Sequence, residues 1–370
     1  MATSRKIRVL IVDDSAIVRK ILSDALAGEP DLEVVGTAPD PYVARDKILA
    51  LHPDVLTLDI EMPRMDGLTF LKKLMHFHPL PAVIISSLAQ PSCQVAVKAL
   101  ELGAVEVLAK PGGPYSVGEL RATLAAKIRA AAASRVSPRT PAAEPQLPLP
   151  LSPAAAVPPL PVGTVVAIGA STGGTEAISA ILTRLPASCP AILIAQHIPP
   201  QFSRAFANRL NEICALQVKE AEDGDELRTG LALVAPGDFH MLLRKTGGKY
   251  SAAVKTGPRV CYQRPSVDVL FQSVADAAKG EAVGVLLTGM GNDGAQGLLK
   301  MRQAGARTMA QDEATCVVFG MPREAISLAA AEQVLPLAAM ANAILTARPG
   351  VRGTPPQTSA VDARALGKLQ

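Results

Sequence analysis

The segment spanning residues 134–161 constrains the fold most, because a hydrophobic core cannot run through it. It is rich in Pro, Ala and Ser, carries few charges and shows no repeating apolar pattern, which is typical of an interdomain linker. The 370 residues, of which 49% are hydrophobic, are enough for two cores. We therefore expect one domain over 1–133, a linker over 134–161, a second domain over 162–347 and a disordered tail over 348–370.

The second half opens with a strand, a turn and a helix. A β-branched apolar run over 164–168 leads into Gly169-Ala170-Ser171-Thr172-Gly173-Gly174, and helix-forming residues follow. Such a strand leaves Ser171 at the carboxyl end of a parallel sheet, where α/β proteins place their chemistry. On this segment alone, Ser171 is either a nucleophile or part of a phosphate-binding loop or helix cap.

Two further apolar runs end in residues that would activate a serine. His197 comes after the run over 191–195, and Asp293 lies in the glycine-rich turn after the run over 282–288. A nucleophilic serine needs a base, and the imidazole needs a carboxylate that fixes its tautomer. The glycines beside Asp293 let the backbone approach a ligand, so the Met290 amide is a candidate donor to a developing oxyanion.

The first half alternates between apolar runs and amphipathic segments, which predicts a parallel, doubly wound α/β sheet. The predicted strands are 7–12, 33–38, 54–58, 82–86 and 104–108. Asp13 and Asp14 follow the first strand, and Asp59 follows the third. Because clustered carboxylates repel one another, we expect this edge of the sheet to bind a divalent cation such as Mg²⁺.

Two more polar residues lie at neighbouring strand ends. Ser86 ends the fourth predicted strand, and Lys110 follows the fifth. With the acidic cluster they suit a bound phosphoryl group, because Mg²⁺ and Lys110 would neutralise its charge and Ser86 would donate a hydrogen bond. Helix capping alone explains Asp13 or Asp14 but not the whole set.

Composition argues against several other classes of protein. The 37 basic and 33 acidic residues give a net charge of +4, which is too balanced to imply nucleic-acid binding, and no helix-turn-helix is recognisable. The sequence predicts neither a signal peptide nor a membrane span, so we expect a cytoplasmic protein without direct membrane insertion. The odd number and wide spacing of the cysteines predict buried thiols, not disulfides or a zinc site. They are Cys93, Cys189, Cys214, Cys261 and Cys316.

Some polar residues allow two interpretations. His240 follows an expected strand end and either lines the cleft or serves the structure. Ser266 precedes a helix and is predicted to cap it. Arg204 and Arg209, on the helix after His197, contact an acidic partner surface or simply form a solvated face.

Five segments of the second half carry a resemblance that extends from about Val162 to about Leu335. They are 169–177, 196–199, 235–238, 264–268 and 287–294. This half resembles the catalytic domain of the CheB family, the chemotaxis response-regulator protein-glutamate methylesterases that are also protein-glutamine glutaminases. The resemblance implies a doubly wound, mostly parallel α/β domain with a Ser171, His197 and Asp293 triad. It places Thr172 beside the nucleophile and Met290 near the oxyanion.

The first half resembles a two-component receiver domain through segments 12–15, 58–67, 85–87 and 109–111. The resemblance implies a flavodoxin-like (βα)5 fold with Asp59 as phosphoacceptor. It assigns Mg²⁺ to Asp13, Asp14, Asp59 and the backbone carbonyl of Glu61, and it makes Ser86 and Lys110 the phosphorylation switch. Many receivers carry an aromatic residue three positions before the lysine, whereas this chain has Val107, so an aromatic relay is not expected.

These observations predict a phosphorylation-activated hydrolase. The resemblance implies that it demethylates glutamate methyl esters of methyl-accepting chemotaxis receptors and deamidates receptor glutamines, without a cofactor for the esterase reaction. A chemotaxis histidine kinase would be its phosphodonor. The alternative is a phosphorylation-gated receptor-binding module with a vestigial triad.

Overall fold

The computed structural model describes residues 5–110, 117–134, 136 and 163–348. The expected linker therefore lies outside the described residues, apart from Ser134 and Val136. The expected disordered tail also lies outside them, apart from Arg348.

The first domain is a five-stranded parallel sheet in the order β2-β1-β3-β4-β5, with helices alternating along the chain. Its strands are β1 (Ile7–Val12), β2 (Leu32–Ala38), β3 (Val55–Asp59), β4 (Ala82–Ser86) and β5 (Glu106–Ala109). Its helices are α1 (Ala16–Leu26), α2 (Pro41–Leu51), α3 (Gly67–Phe77), α4 (Gln90–Glu101) and α5 (Val117–Ala132). This confirms the predicted doubly wound fold.

Short polar residues begin three of these helices. Ser15, Asp40 and Asp66 are the N-cap residues of α1, α2 and α3, and each side chain accepts a hydrogen bond from an amide of the first turn. Such caps satisfy donors that have no partner within the helix. They fix where each chain segment leaves the carboxyl edge of the sheet.

The second domain has a seven-stranded sheet in the order β14-β13-β12-β6-β7-β9-β8, with every neighbouring pair parallel. Its strands are β6 (Val165–Ala170), β7 (Ala191–Gln196), β8 (Gln217–Glu220), β9 (Leu231–Val234), β12 (Ala282–Leu286), β13 (Arg307–Gln311) and β14 (Gln333–Leu335). A separate antiparallel hairpin is formed by β10 (His240–Thr246) and β11 (Lys249–Lys255). Strand β6 lies between β12 and β7, so three carboxyl ends are neighbours.

The helices of this domain are α6 (Gly174–Leu182), α7 (Phe202–Ile213), α8 (Val267–Ala277), α9 (Ala295–Gln303), α10 (Met321–Ser327) and α11 (Leu337–Thr346), with a 3₁₀ helix at Lys279–Glu281. Within the described ranges, no helix is both long and apolar enough to cross a bilayer. Cys93, Cys189 and Cys316 are buried as predicted. Cys214 and Cys261 are only half-buried, so the prediction was wrong for those two, and all five cysteines are free thiols.

Candidate active site

Ser171 lies on the turn between β6 and α6 and is almost completely buried. Its amide donates to the Thr288 carbonyl at 3.0 Å, which joins this turn to the one that follows β12. Gly289 of that second turn packs directly against it, since a Cβ at Gly289 would lie 2.7 Å from the Ser171 Cβ. The N-cap residue of α6 is Gly173, with φ of 75°, and not Ser171. The capping interpretation of Ser171 is therefore not supported.

The turns that follow β7 and β12 bring His197 and Asp293 into contact. His197 Nε2 lies 2.8 Å from Asp293 Oδ2, and both side chains are only 2% exposed. A carboxylate can only accept, so Nε2 carries the proton in this hydrogen bond. The carboxylate thus orients the imidazole and would stabilise its protonated form.

Asp293 is held by more than His197. Its Oδ1 accepts from Ser266 Oγ at 2.8 Å and from the Asp268 amide at 2.9 Å, and its Oδ2 also accepts from the Val267 amide at 2.8 Å. Burial alone would raise the pKa of Asp293, but the hydrogen bonds from His197 and these amides outweigh it and lower the pKa. The carboxylate therefore stays charged in a site almost closed to water.

Several buried polar atoms near Ser171 have no hydrogen-bond partner among the described residues, and two of them belong to residues predicted to act with Ser171. His197 Nδ1 and Thr172 Oγ1 are buried and have no hydrogen-bond partner in the part of the chain that the structure describes. Because Nε2 is bound to Asp293, Nδ1 is the ring nitrogen left for a proton from Ser171. Both residues lie at the strand ends where a substrate would enter, so a bound substrate or a reacting hydroxyl can satisfy these atoms.

Met290 and Gln196 lie on the turns around Ser171. Met290, predicted near the oxyanion, lies on the turn after β12 and is 42% exposed. Gln196 is buried, and its Nε2 donates to the Ser171 carbonyl at 2.9 Å and to the His197 carbonyl at 3.2 Å. In the sequence, Gln196 is the first residue of the segment 196–199 and has no predicted role. Its amide group links the turns of Ser171 and His197, a contact that no local pattern signals.

The first domain lies directly against this site. A cavity of only about 10 Å³ is lined by Ser171 and His197 from the second domain and by Leu100, Val105 and Val107 from the first. Helix α4 packs on α7, where Arg209 Nε lies 2.6 Å from Glu101 Oε1. Arg209 thus contacts an acidic residue of its own chain. Ser171 is covered by the face formed by α4 and β5.

The acidic residues of the first domain meet as the sequence predicted. Carboxylate oxygens of Asp13, Asp14 and Asp59 all lie within 4.8 Å of one another. Lys110 Nζ lies 2.7 Å from Asp59 Oδ2 and 3.8 Å from Asp13 Oδ2. Burial and the nearby Asp59 raise the pKa of Asp13 to about 6, and burial also raises the pKa of Asp59. These carboxyl groups are therefore costly to ionise together without a cation.

A divalent cation fits this donor set. Asp13 Oδ2 is buried and has no hydrogen-bond partner among the described residues, and three carboxylates supply the hard oxygen ligands that Mg²⁺ prefers. The Glu61 amide donates to Asp59 Oδ1 at 3.1 Å, so Glu61 lies beside the cluster. Ser86 is buried at the end of β4, with its hydroxyl 3.5 Å from the Ser87 and Ser92 carbonyls. These long contacts leave the Ser86 hydroxyl available to a better acceptor.

Comparison with known proteins agrees with this division of the chain. The CheB methylesterase family matches residues 166–344, and the response regulator receiver domain family matches residues 9–123. A protein-glutamate methylesterase/protein-glutamine glutaminase from Syntrophus aciditrophicus is 53% identical over 92% of this chain and 98% of its own. One from Anaeromyxobacter dehalogenans is 54% identical over 92% and 95%, and one from Salmonella typhimurium is 52% identical over 92% and 96%.

The fold and the family matches define a response regulator whose output domain is a methylesterase built on a parallel α/β sheet. The chain belongs to the protein-glutamate methylesterase/protein-glutamine glutaminase family.

Proposed function

We propose that this protein hydrolyses γ-glutamyl methyl esters on methyl-accepting chemotaxis receptors, releases methanol and also deamidates specific receptor glutamines. The observation that carries the proposal is the convergence of Ser171, His197 and Asp293 at three neighbouring strand ends, with the 2.8 Å contact between His197 and Asp293. Family membership supports the substrate class.

The reaction follows from the hydrogen-bond directions. His197 Nδ1 accepts the Ser171 hydroxyl proton as Ser171 Oγ bonds to the ester carbonyl carbon. Asp293 stabilises the imidazolium through Nε2. The tetrahedral intermediate then expels the methoxy group, which takes the proton from His197 and leaves as methanol. Water attacks the acyl-enzyme with His197 again as base and releases glutamate. For a glutamine substrate the leaving group is ammonia.

The Met290 amide and Thr172 are the proposed neighbours of the developing negative charge. Met290 lies on the glycine-rich turn packed against Ser171, and the buried Thr172 hydroxyl has no partner among the described residues. Donors aimed at an oxyanion from a site that excludes water stabilise the transition state more than they do in solvent. We therefore assign substrate positioning to these two residues.

Phosphorylation is proposed to occur on Asp59, whose carboxylate attacks the phosphorus of a phosphorylated chemotaxis histidine kinase. Asp13, Asp14, Asp59 and the Glu61 carbonyl would hold Mg²⁺, which when bound neutralises charge on the phosphoryl oxygens. Lys110 is already paired with Asp59, and Ser86 ends the neighbouring strand. Both would turn toward the phosphoryl group and thereby alter the surface around β4 and β5.

The unphosphorylated receiver is proposed to act as a lid. Val105 and Val107 line the same small cavity as Ser171 and His197, so a receptor helix has no access in this arrangement. A net domain contact of about 2 to 3 kcal/mol would keep roughly 97 to 99% of molecules closed. Release of the contact would then raise the activity by tens to a hundredfold.

The decisive measurement is methanol release from methylated receptor membranes, with and without a small phosphodonor. We expect turnover by the wild type, stimulation by the phosphodonor and no turnover by Ser171→Ala. A folded Ser171→Ala protein that releases methanol at the wild-type rate contradicts the assignment. Receptor binding without methanol release by the wild type would favour the vestigial-triad alternative.

A further inference from the structure

A buried histidine outside the triad is hydrogen-bonded through both ring nitrogens. His240 begins β10 and is 5% exposed. Its Nε2 lies 2.9 Å from the Pro258 carbonyl oxygen, and its Nδ1 lies 3.2 Å from the backbone nitrogen of Ser266. A carbonyl can only accept and an amide N–H can only donate, so Nε2 carries the proton and Nδ1 the lone pair. The two partners thus select one neutral tautomer.

The amide that His240 accepts from belongs to the residue that supports the triad carboxylate. Ser266 is the N-cap residue of α8 and is fully buried. Its hydroxyl donates to Asp293 Oδ1, and the amides of Val267 and Asp268 donate to the same carboxylate. Three hydrogen bonds from the start of α8 therefore fix Asp293, which in turn holds His197.

His240 also lies where the turn before β10 meets the loop between β11 and α8. Two contacts between Asp238 and Arg264 join this turn to this loop. Arg264 Nη2 lies 2.8 Å from Asp238 Oδ1, and the Asp238 amide donates to the Arg264 carbonyl at 3.0 Å. Within this frame the Ser266 amide faces the imidazole. A side chain that cannot accept there leaves the buried Ser266 amide without a hydrogen-bond partner, which is unfavourable. The start of α8 would shift to recover a partner.

We propose that His240 is a positioning residue of the esterase. His240 Nδ1 accepts a hydrogen bond from the Ser266 amide and so positions Ser266. Ser266 and the amides of the next two residues hold the Asp293 carboxylate, which in turn orients His197. His240 touches neither the nucleophile nor the substrate in this scheme. The inference rests on the proposed function and adds a residue that acts through the triad carboxylate.

Two isosteric substitutions separate this role from simple packing. In His240→Asn the amide oxygen occupies the place of Nδ1 and accepts from the Ser266 amide. In His240→Gln the amide reaches the place of Nε2 and can donate only to the Pro258 carbonyl, so the Ser266 amide loses its acceptor. For full-length protein saturated with phosphodonor, we expect His240→Gln to lower kcat for methanol release by about ten- to a hundredfold with KM unchanged. His240→Asn should retain most of the wild-type kcat.

A second readout does not depend on substrate. The His197 Nε2 proton lies in a short hydrogen bond to a buried carboxylate, so its proton resonance is expected at low field. This resonance should move in His240→Gln and stay in place in His240→Asn, with thermal unfolding confirming that both variants fold. The proposal is overturned if the two variants have the same kcat, whether reduced or unchanged, and the His197 Nε2 proton resonance does not move in either of them. If the wild type releases no methanol, the proposed function fails, while the resonance still tests the link from His240 to Asp293.

Discussion

Reversal of one charge on the receiver should open the lid without phosphorylation. Arg209 of α7 binds Glu101 of α4 through two contacts, Nε to Oε1 at 2.6 Å and Nη2 to Oε2 at 3.4 Å. The hydrogen bond that Arg209 donates to Glu101 also raises the pKa of Arg209. In Glu101→Arg this attraction between the domains becomes a repulsion between two guanidinium groups.

The expected magnitude follows from the exposure of the pair. The Arg209 and Glu101 side chains are 40% and 36% exposed, so solvent screens the interaction. A pair of this kind contributes about 0.5 to 1 kcal/mol, and its conversion to repulsion changes the balance by about 1 to 2 kcal/mol. The closed-to-open ratio would then fall about 5- to 30-fold. With nearly all wild-type molecules closed, the rate without phosphodonor should rise by a similar factor.

The assay is methanol release by full-length protein, measured without and with a small phosphodonor. The matched control is Glu33→Arg, which makes the same change in charge at an exposed position on β2, the sheet edge opposite β5. Without phosphodonor, we expect Glu101→Arg to release methanol faster than the wild type; with phosphodonor, the two rates should be equal. Glu33→Arg should match the wild type under both conditions. Equal rates for Glu101→Arg and wild type without phosphodonor would refute the lid, and an equal rise in the unphosphorylated rate of both variants would indicate a general charge effect.

Three further predictions concern the two sites. Asp293→Asn should lower turnover by a factor on the order of 10⁴. His197→Ala should lower it as much as Ser171→Ala, because the effects of substitutions within one triad are not additive. Steady-state methanol release measures all three variants. Phosphodonor with Mg²⁺ should label Asp59, and Asp59→Asn should remove the label, as peptide mapping will show; label on another residue of the wild type would contradict the assignment. Because the pKa of Asp13 is about 6, protons compete with Mg²⁺ below that value. The Mg²⁺ affinity should be about tenfold weaker at pH 5 than at pH 7.5, with a flatter profile in Asp13→Asn, and a flat wild-type titration would contradict this.

The pKa of Asp13 also sets the sign of its contribution to stability. The pKa of about 6 in the folded state exceeds the ordinary aspartate pKa of 3.8, so the native protein binds more protons than the unfolded chain between about pH 4 and pH 6. Without Mg²⁺, the contribution of Asp13 to the free energy of unfolding therefore falls as the pH rises through this window. Mg²⁺ binding to the charged form would offset that loss at neutral pH.

The sequence predicted the strand ends because a parallel sheet collects its carboxyl ends at one edge. Strands β6, β7 and β12 are apolar runs that stop at polar turns, and they are neighbours in the sheet. The fifth strand shows the limit of this reasoning, since it was predicted over 104–108 and is Glu106–Ala109. An apolar run does not specify where its hydrogen-bonded ladder begins.

Other parts of the site depend on contacts between distant segments. Ser266 was predicted as a helix cap, but its hydrogen bond to Asp293 joins residues 27 positions apart, and a local pattern carries no sign of it. His240 was left between two interpretations for the same reason, because both of its partners, Pro258 and Ser266, come from the distant loop between β11 and α8. The contact between Arg209 and Glu101 spans 108 positions and uses charged residues that look like any solvated helix face.

Val107 of the first domain lies between the candidate sites of the two domains. It was singled out because many receivers carry an aromatic residue at this position, and the structure places it, 3% exposed, in the lining of the cavity that holds Ser171 and His197. Val107 lies on β5 opposite Ile84 of β4, two residues before the cross-strand pair of Ser86 and Ala109 and three residues before Lys110. A movement of Ser86 and Lys110 toward a phosphoryl group would therefore act on the strand that covers Ser171. We expect such a signal to reach Ser171 through backbone and a small apolar side chain, without the rotation of an aromatic ring.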